Sequence, residues 1–364
     1  MKRTPLIEHH RKLNAKLVDF AGWEMPIQYS GVIEEYQAVR TAVGLFDVSH
    51  MGRVTVEGRD AVSFLQHVTT NNVMKLSAGS AQYSMICNHE GGIKDDIFIY
   101  RLGEQRFLIC VNASNREKIV SWLFQKSPQG DIRLSDDSQE LAQIALQGPQ
   151  SQPVLHSISP DAVEKLKPRH CVEADVLKIH CMISRTGYTG EVGYELYVPS
   201  QSSGIVWAAL LEAGKSFGIK PCGLGARDLL RLEVGYLLYG NDIDEERTPV
   251  EAGAEWAVDF TKGDFIGRPV LLQQKEHGVS RKLVGFELTQ KAVPRHGMKI
   301  VSEAKDMKEI GIVTSGNLSP RLQRGIGLGY VQTQFSVLGT KFLIDIRGRA
   351  HEAVVVSLPF YKRT

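Results

Sequence analysis

The sequence predicts an α+β chain of more than one domain that ends in a small β-barrel, and three observations carry that reading. The chain has 364 residues, 43% hydrophobic and 23% charged, which is ordinary globular composition and enough for two or three cores. Helical and strand-like periodicities are interspersed up to about residue 279. From about Ser280 the texture changes to short β-rich runs separated by turn residues: Lys282 to Leu288, Lys299 to Val301, Ile310 to Thr314, Gly325 to Val331, Lys341 to Ile346 and Ala353 to Val356. These read as an all-β barrel or sandwich of about 80 residues.

Lys plus Arg number 43 against 41 Asp plus Glu, a net charge of +2 that favours no nucleic-acid partner. No segment approaches a membrane span. The basic start Met1-Lys2-Arg3-Thr4-Pro5 runs into Glu8, His9, His10, Arg11 and Lys12, not into the apolar stretch of a signal peptide. Cys87, Cys110, Cys171, Cys181 and Cys222 form no Cys-x-x-Cys pair, and their odd number argues against a disulfide framework. The expected location is cytoplasmic.

Leu6 to Asp19 suits a short helix, broken by the Gly and Pro of Phe20 to Pro26. His9-His10 reads as polar helix surface, not as a metal site. A second helix is expected from Val32 to Val43, with Val32, Ile33, Tyr36 and Val39 at helical spacing and Gly44 as its left-handed cap. Leu45 to Val56 reads as strand, tight turn, strand, and Met51 at the turn either reaches into a pocket or plugs a core. Asp60 is expected to cap a helix through His67, and Tyr83 to Cys87 begins a strand.

The most informative stretch is Gly91-Gly92-Ile93-Lys94-Asp95-Asp96-Ile97-Phe98-Ile99-Tyr100. The glycines supply a turn, and the β-branched and aromatic run after them reads as a strand from about Lys94. Alternation puts Ile97 and Ile99 on one face and Asp96, Phe98 and Tyr100 on the other. A carboxylate beside two rings suits a flat, partly polar ligand. The bland alternative is a hairpin with Asp95-Asp96 as solvated turn residues.

A strand from Arg106 to Val111 follows, ending at Asn112, then a helix from Ala113 to Gln125 and a polar, loop-like Asp131 to Ser138. Gln143 to Gln147 reads as a buried strand that enters a helix through Gly148-Pro149. Gly187, Gly190 and Gly193 form a short flexible loop, and the strand after it places Glu195 and Tyr197 on one face with Tyr194, Leu196 and Val198 on the other. The Gly-x-x-Gly-x-x-Gly spacing matches neither the dinucleotide fingerprint nor the P-loop, so nucleotide phosphate is rejected. Gly223 to Tyr236 is helix-like, apolar at Leu229, Leu232 and Tyr236. Arg227 lies near the positive end of that helix, where it gains nothing from the dipole, a local conflict that hints at function. The alternative is an Asp228 to Arg231 salt bridge with Arg227 solvated. Asn241 to Glu246 lacks the Gly and terminal Glu of an EF-hand loop and reads as a solvated turn.

Together, Asp47-Val48-Ser49-His50-Met51-Gly52, Gly91 to Asp96, Gly187-Tyr188-Thr189-Gly190-Glu191-x-Gly193, Gly223-Leu224-Gly225-Ala226-Arg227-Asp228-x-x-Arg231-Leu232-Glu233 and Val313-Thr314-Ser315-Gly316-x-x-Ser319-Pro320 resemble the glycine cleavage system T protein, an aminomethyltransferase. The resemblance spans nearly the whole chain in the expected order. It implies three lobes around a central folate cavity: a discontinuous α+β domain at 1–51 and 136–279, an inserted α+β domain at 52–135 and a β-barrel at 280–364. It implies transfer of a one-carbon unit from the aminomethyl-dihydrolipoyl arm of a lipoylated H protein to tetrahydrofolate, giving 5,10-methylenetetrahydrofolate and ammonia. No metal, flavin or nicotinamide is implied, and no nucleic-acid or membrane partner.

Carried over residue by residue, the resemblance makes Asp96 the catalytic carboxylate and Glu195 and Arg227 polar contacts to the pterin. Tyr83, Tyr100, Tyr188 and Tyr236 match positions near the folate, and Met51, Val111 and Asn112 match further pocket-lining positions. Asp95, on the opposite face, is expected to tolerate change, and Lys94 stands where the family often carries an apolar residue. The same architecture is similar to folate-dependent demethylases, to the folate domains of sarcosine and dimethylglycine oxidising enzymes, and to a non-catalytic folate-binding protein linked to iron-sulfur maintenance. Asp96 after Gly91-Gly92 and the Arg227 to Glu233 helix favour the transferase.

Overall fold

The computed structural model describes residues 1–164, 166–303 and 307–363. The chain forms two compact units, Met1–Ser84 with Asp95–Asp228, and Met85–Lys94 with Leu229–Thr364. No helix among the described residues is long and apolar enough to cross a membrane.

The first unit contains a six-stranded sheet ordered Cys171–Val176, Ile179–Ser184, Gly193–Pro199, Leu141–Gln147, Val43–Asp47 and Ile219–Pro221, antiparallel except for the last pair. Strand alternation sorts its side chains. Leu45, Ile144, Leu146, Ile183, Tyr194, Leu196 and Val198 enter a core with Val154, Leu155, Val206, Trp207 and Leu210 of the helices Ser151–Ile158 and Ser203–Ala213. Register puts Gln143 opposite Tyr197 and Ser184 opposite Glu195, so the other face is polar.

A five-stranded antiparallel sheet has the order Ala81–Cys87, Ile93–Arg101, Arg106–Val111, Gly52–Glu57 and Arg133–Asp136. Val54, Val56, Ile97, Ile99, Ile109 and Val111 are buried on one side of it. From its other side Tyr100, Leu108 and Cys110 pack with Met182 and Tyr197 of the six-stranded sheet, and Met51 and Phe98 sit half-buried at the border. The polar face of one sheet thus meets the aromatic face of the other.

Several local expectations need correction. The first helix is only Ile7–Lys12, because Asn14 turns into the left-handed region at φ 55°. Lys16–Phe20 then pairs with Trp23–Gln28 in a two-stranded ribbon, where both strands are edges and Pro26 costs little. His10 is not surface: it is buried with Nε2 2.8 Å from Asp47 Oδ2 and Nδ1 2.9 Å from the Tyr29 hydroxyl. The second helix is Val32–Thr41, and Gly44 lies inside the Val43–Asp47 strand instead of capping it. Asp60 makes no cap bond to the Ala61–Val68 helix, since its carboxylate accepts the Asp131 N–H at 2.8 Å. The polar run after it contains a strand, Arg133–Asp136, at the sheet edge. The helix after Asn112 opens as a 3₁₀ turn, Ala113–Asn115, before Arg116–Lys126.

In the second unit six antiparallel strands close a barrel in the order Arg281–Leu288, Arg324–Gln332, Glu309–Ser319, Lys299–Val301, Lys341–Ile346 and Arg349–Val356, the last returning to the first. Phe286, Ile300, Val313, Phe342, Ile344 and Val355 fill it. The hairpin tip Met85–Lys94 also belongs to this unit. Its two glycines act differently: Gly91 takes φ 81°, whereas a Cβ on Gly92 would lie 1.8 Å from the Glu245 carbonyl oxygen. Lys94 pairs with Glu245 at 2.9 Å, which gives that cationic departure from the family a local use.

Asn241 to Glu246 is not a solvated turn. Asp242 is 0% exposed and accepts from Arg231 Nη1 at 2.7 Å, Leu238 N at 2.9 Å, Thr314 Oγ1 at 2.6 Å and Ser315 Oγ at 2.8 Å. Arg231 is therefore an ion-pair partner of Asp242, at 2.7 Å.

Candidate active site

Asp96 lies on the Ile93–Arg101 strand, half-buried. Its Oδ1 accepts Asn112 Nδ2 at 2.7 Å and its Oδ2 accepts the Tyr83 hydroxyl at 3.1 Å. Two neutral donors thus hold an anionic carboxylate, and bonds to a charged acceptor are the stronger kind. Burial first, and then the Asp96 charge, raise the Tyr83 pKa well above its ordinary value, so that phenol stays a donor.

Asp95 is not the solvated turn residue of the bland alternative. It is 0% exposed, accepts the Asn112 N–H at 2.9 Å and Asn112 Nδ2 at 2.9 Å, and takes Asn115 Nδ2 at 2.7 Å. Burial, followed by the Asp96 charge, pushes its pKa up to about 7 against the pull of these amides. Asn112 bridges both carboxylates and thereby fixes Asp96.

Glu195 faces this strand from the six-stranded sheet. Its Oε1 accepts Gln143 Nε2 at 3.1 Å, and its Oε2 accepts Thr186 Oγ1 at 2.5 Å and the Tyr100 hydroxyl at 3.5 Å. Tyr100 is fully buried, and Tyr197 donates to its oxygen at 3.1 Å. Its phenol therefore supports Glu195.

Tyr188 sits in the glycine loop. Gln147 staples that loop, with Nε2 donating to Thr186 O at 3.2 Å and Oε1 accepting Thr189 Oγ1 at 2.9 Å. A Cβ on Gly187 or Gly193 would come within 2.0 or 2.3 Å of the Gln147 amide, so these two glycines make room for that side chain. The Arg227 guanidinium stacks 4.7 Å above the Tyr188 ring, and its Nη1 is buried with no hydrogen-bond partner.

The Asp47 to Gly52 motif forms a turn braced by buried charges. Asp47 Oδ1 accepts the Ser49 N–H at 2.9 Å, while Arg53 Nη1 donates to the carbonyls of Ser49, at 3.0 Å, and Met51. Gln143 N donates to Ser49 Oγ at 3.0 Å, so one residue joins this turn to Glu195. His50, at the centre of the turn, is 3% exposed with Nδ1 unpartnered.

Two family models match the chain: the GCVT N-terminal domain over residues 6–262 and the glycine cleavage T-protein C-terminal barrel domain over residues 281–362. The chain belongs to the glycine cleavage T-protein family of aminomethyltransferases. Family members named aminomethyltransferase from Halothermothrix orenii and Bacillus subtilis are 48% and 44% identical to it, over 99% and 100% of this chain and 100% of each relative. The crystal structure of glycine cleavage system aminomethyltransferase T from Bartonella henselae is 35% identical with a TM-score of 0.93, covering 99% of this chain and 98% of that one. The motif resemblance and the α+β fold class with its closing barrel are borne out for the T-protein chain as a whole.

Of the residues matched to the T-protein pattern, Asp96, Tyr83 and Asn112 form one hydrogen-bonded group, and Glu195 with Tyr100 forms another. Arg227 and Tyr188 form a third. Met51 stands at the edge of the aromatic cluster. Val111 is wholly buried. Tyr236 is 41% exposed in the second unit, its N–H donating to Arg231 O at 3.0 Å. Residues missed from the sequence are Asp95, Gln143, Thr186, Arg53 and His50. Gln143 and Gln147 alternating with Ile144 and Leu146 was the available signal for the first glutamine.

Proposed function

We propose that this chain moves the one-carbon unit from the aminomethyl-dihydrolipoyl arm of the H protein to tetrahydrofolate, with 5,10-methylenetetrahydrofolate and ammonia as products. The observation that carries the reading is the half-exposed Asp96 carboxylate held by Tyr83 and Asn112. The site fits a reduced pterin: an anionic acceptor at Glu195, and a buried cationic donor with a free N–H at Arg227. When bound, tetrahydrofolate supplies the nucleophilic nitrogen that accepts the carbon.

The chain's own residues do the rest. Asp96 orients the reacting end of the ligand and takes up or returns the proton that moves as ammonia leaves. Tyr83 and Asn112 fix its carboxylate in one rotamer. Glu195, itself fixed by Gln143 and Thr186, accepts from ring N–H donors, each such bond being worth about 1.5–3 kcal/mol. Arg227, its guanidinium carbon 4.7 Å from the centre of the Tyr188 ring, donates to the pterin ring. On the same family reading the chain divides into 1–51 with 136–279, 52–135 and 280–364.

The test is ammonia release from aminomethyl-loaded H protein, with and without tetrahydrofolate. Release accelerated by tetrahydrofolate, with methylenetetrahydrofolate in equal amount, supports the assignment. Folate binding without release refutes it and points to another donor or to a non-catalytic folate protein.

A further inference from the structure

The helix Leu224–Glu233 carries Arg227 in its first turn, and the Arg227 N–H donates to Gly223 O at 3.2 Å. The seat of Gly223 therefore sets the position of the Arg227 backbone. Gly223 is itself held from outside the helix: its N–H donates to Glu35 Oε2 at 2.8 Å.

Glu35 lies in the helix Val32–Thr41 and is 0% exposed. Its Oε1 accepts three consecutive backbone N–H groups, from Tyr29 at 2.5 Å, Ser30 at 3.0 Å and Gly31 at 3.2 Å. One oxygen thus organises the loop that leads into its own helix, while the other reaches 188 positions along the chain to a different helix. Bonds to a charged acceptor are the stronger kind, so this contact anchors the helix start. The surfaces around it are shaped for close approach. A Cβ on Gly223 would lie 2.4 Å from the carbonyl carbon and oxygen of Ile27, and one on Gly225 would lie 2.6 Å from Val32 Cγ2 and 3.1 Å from the Ile27 oxygen. Both glycines lack a side chain where residues 27–32 press against the first turn. At the far end of the same turn, the Arg227 guanidinium carbon stands 4.7 Å from the centre of the Tyr188 ring. All of these residues belong to the first unit.

We infer that Glu35 is a positioning residue for Arg227: its Oε2 holds the Gly223 N–H, the glycine contacts keep the first helical turn seated, and the guanidinium is thereby presented over Tyr188 at the reach its bond to the pterin requires. This rests on the folate reading of Arg227. Glu35 acts only through Arg227, and no bond to the substrate is made or broken on it.

The experiment is a double-mutant cycle in tetrahydrofolate binding, by anaerobic calorimetric titration of wild type, Glu35→Gln, Arg227→Met and the double variant. Gln keeps an oxygen for the three N–H groups of residues 29–31 and turns its amide nitrogen toward the Gly223 N–H, so donor meets donor at the helix while the loop contact is retained. Arg227→Met keeps an apolar side chain beside Tyr188 and removes the donors. Arg227→Met should weaken binding roughly 10- to 100-fold; Glu35→Gln should weaken it roughly 10-fold in the presence of Arg227 and less than about 2-fold in its absence. A role confined to stability acts on both backgrounds alike, so an equal loss in both overturns the inference, as does unchanged binding in Glu35→Gln. Gly225→Ala is run through the same cycle and leaves the buried carboxylate untouched, since its Cβ displaces the same turn. It should weaken binding only where Arg227 is present; equal losses in both backgrounds, or none, overturn the inference even where Glu35→Gln does not fold. An Arg227→Met protein that binds as wild type does, or a wild-type protein that does not bind tetrahydrofolate, overturns the folate reading itself, and this inference with it.

Discussion

Replacing Asp96 by Asn separates charge from shape at the reacting carboxylate. Both Asp96 oxygens are in use, one toward Asn112 Nδ2 at 2.7 Å and one toward the Tyr83 hydroxyl at 3.1 Å. Asn keeps an oxygen toward Asn112 and turns its amide to the Tyr83 oxygen, which accepts as well as donates. The side chain is therefore retained in place. What disappears is the negative charge that ranks second, after burial, in raising Asp95 from its ordinary 3.8 to about 7. A folded pKa above the unfolded one means that stability is complete below about pH 4 and is lost as pH rises through 7. Asp96→Asn lowers the Asp95 value and reduces that loss, so the variant should melt higher than wild type at pH 8, and the gap should close toward pH 4. Turnover should move the other way. General acid–base assistance typically contributes 10²- to 10⁴-fold, so a loss of at least about 10²-fold is expected, close to 2.7 kcal/mol on the barrier. Single-turnover ammonia release and thermal melts at pH 5 and 8 read both effects. Undiminished turnover would refute the role given to Asp96. Lost turnover with a lower melting temperature at pH 8 would refute the electrostatic account.

Asp95→Ala strips the acceptor from the Asn112 N–H and from the Asn112 and Asn115 amides; it should destabilise by about 3 kcal/mol in urea titration, and a change under 1 kcal/mol would contradict the network. In the second unit, Arg231→Met leaves Asp242 buried without its guanidinium and should cost about 3–5 kcal/mol, with part recovered in the Arg231→Met, Asp242→Leu pair. His50 has its folded pKa depressed below 6.5, so wild type loses stability as pH falls through the window from about 6.5 to 3. The melting-temperature gap between His50→Leu and wild type should therefore widen from pH 7 to pH 4, and a constant gap would show that His50 titrates normally.

Alternation made the working faces legible. Asp96, Phe98 and Tyr100, and Glu195 with Tyr197, lie where a period of two puts them, because each strand has one face in a core. The barrel runs were legible for the same reason, although the longest, Glu309–Ser319, extends well past its expected end at Thr314. Burial of single polar residues was not legible. Asp95 looks like any turn carboxylate until Asn112 and Asn115, 17 and 20 positions on, fold against it. His10 looked like helix surface because its partner Asp47 is 37 positions away. Leu6 to Asp19 misled through propensity, since four of its residues, Lys16 to Asp19, belong to a strand that exists only through pairing with Trp23–Gln28.

The interleaving of the two units bears on how the chain is made. Met85–Lys94 leaves the ribosome early, yet Glu245, which pairs with Lys94 and would collide with any side chain at position 92, follows 151 residues after Lys94. At about 5–20 residues per second that interval is on the order of ten seconds. During it the hairpin tip next to Asp96 has no counterpart to close against, although every residue of the first unit has been made once Asp228 is added. Vectorial synthesis therefore leaves this enzyme's most functional hairpin among the last elements to be secured, a natural point of engagement for chaperones and a reason to express the chain slowly and whole.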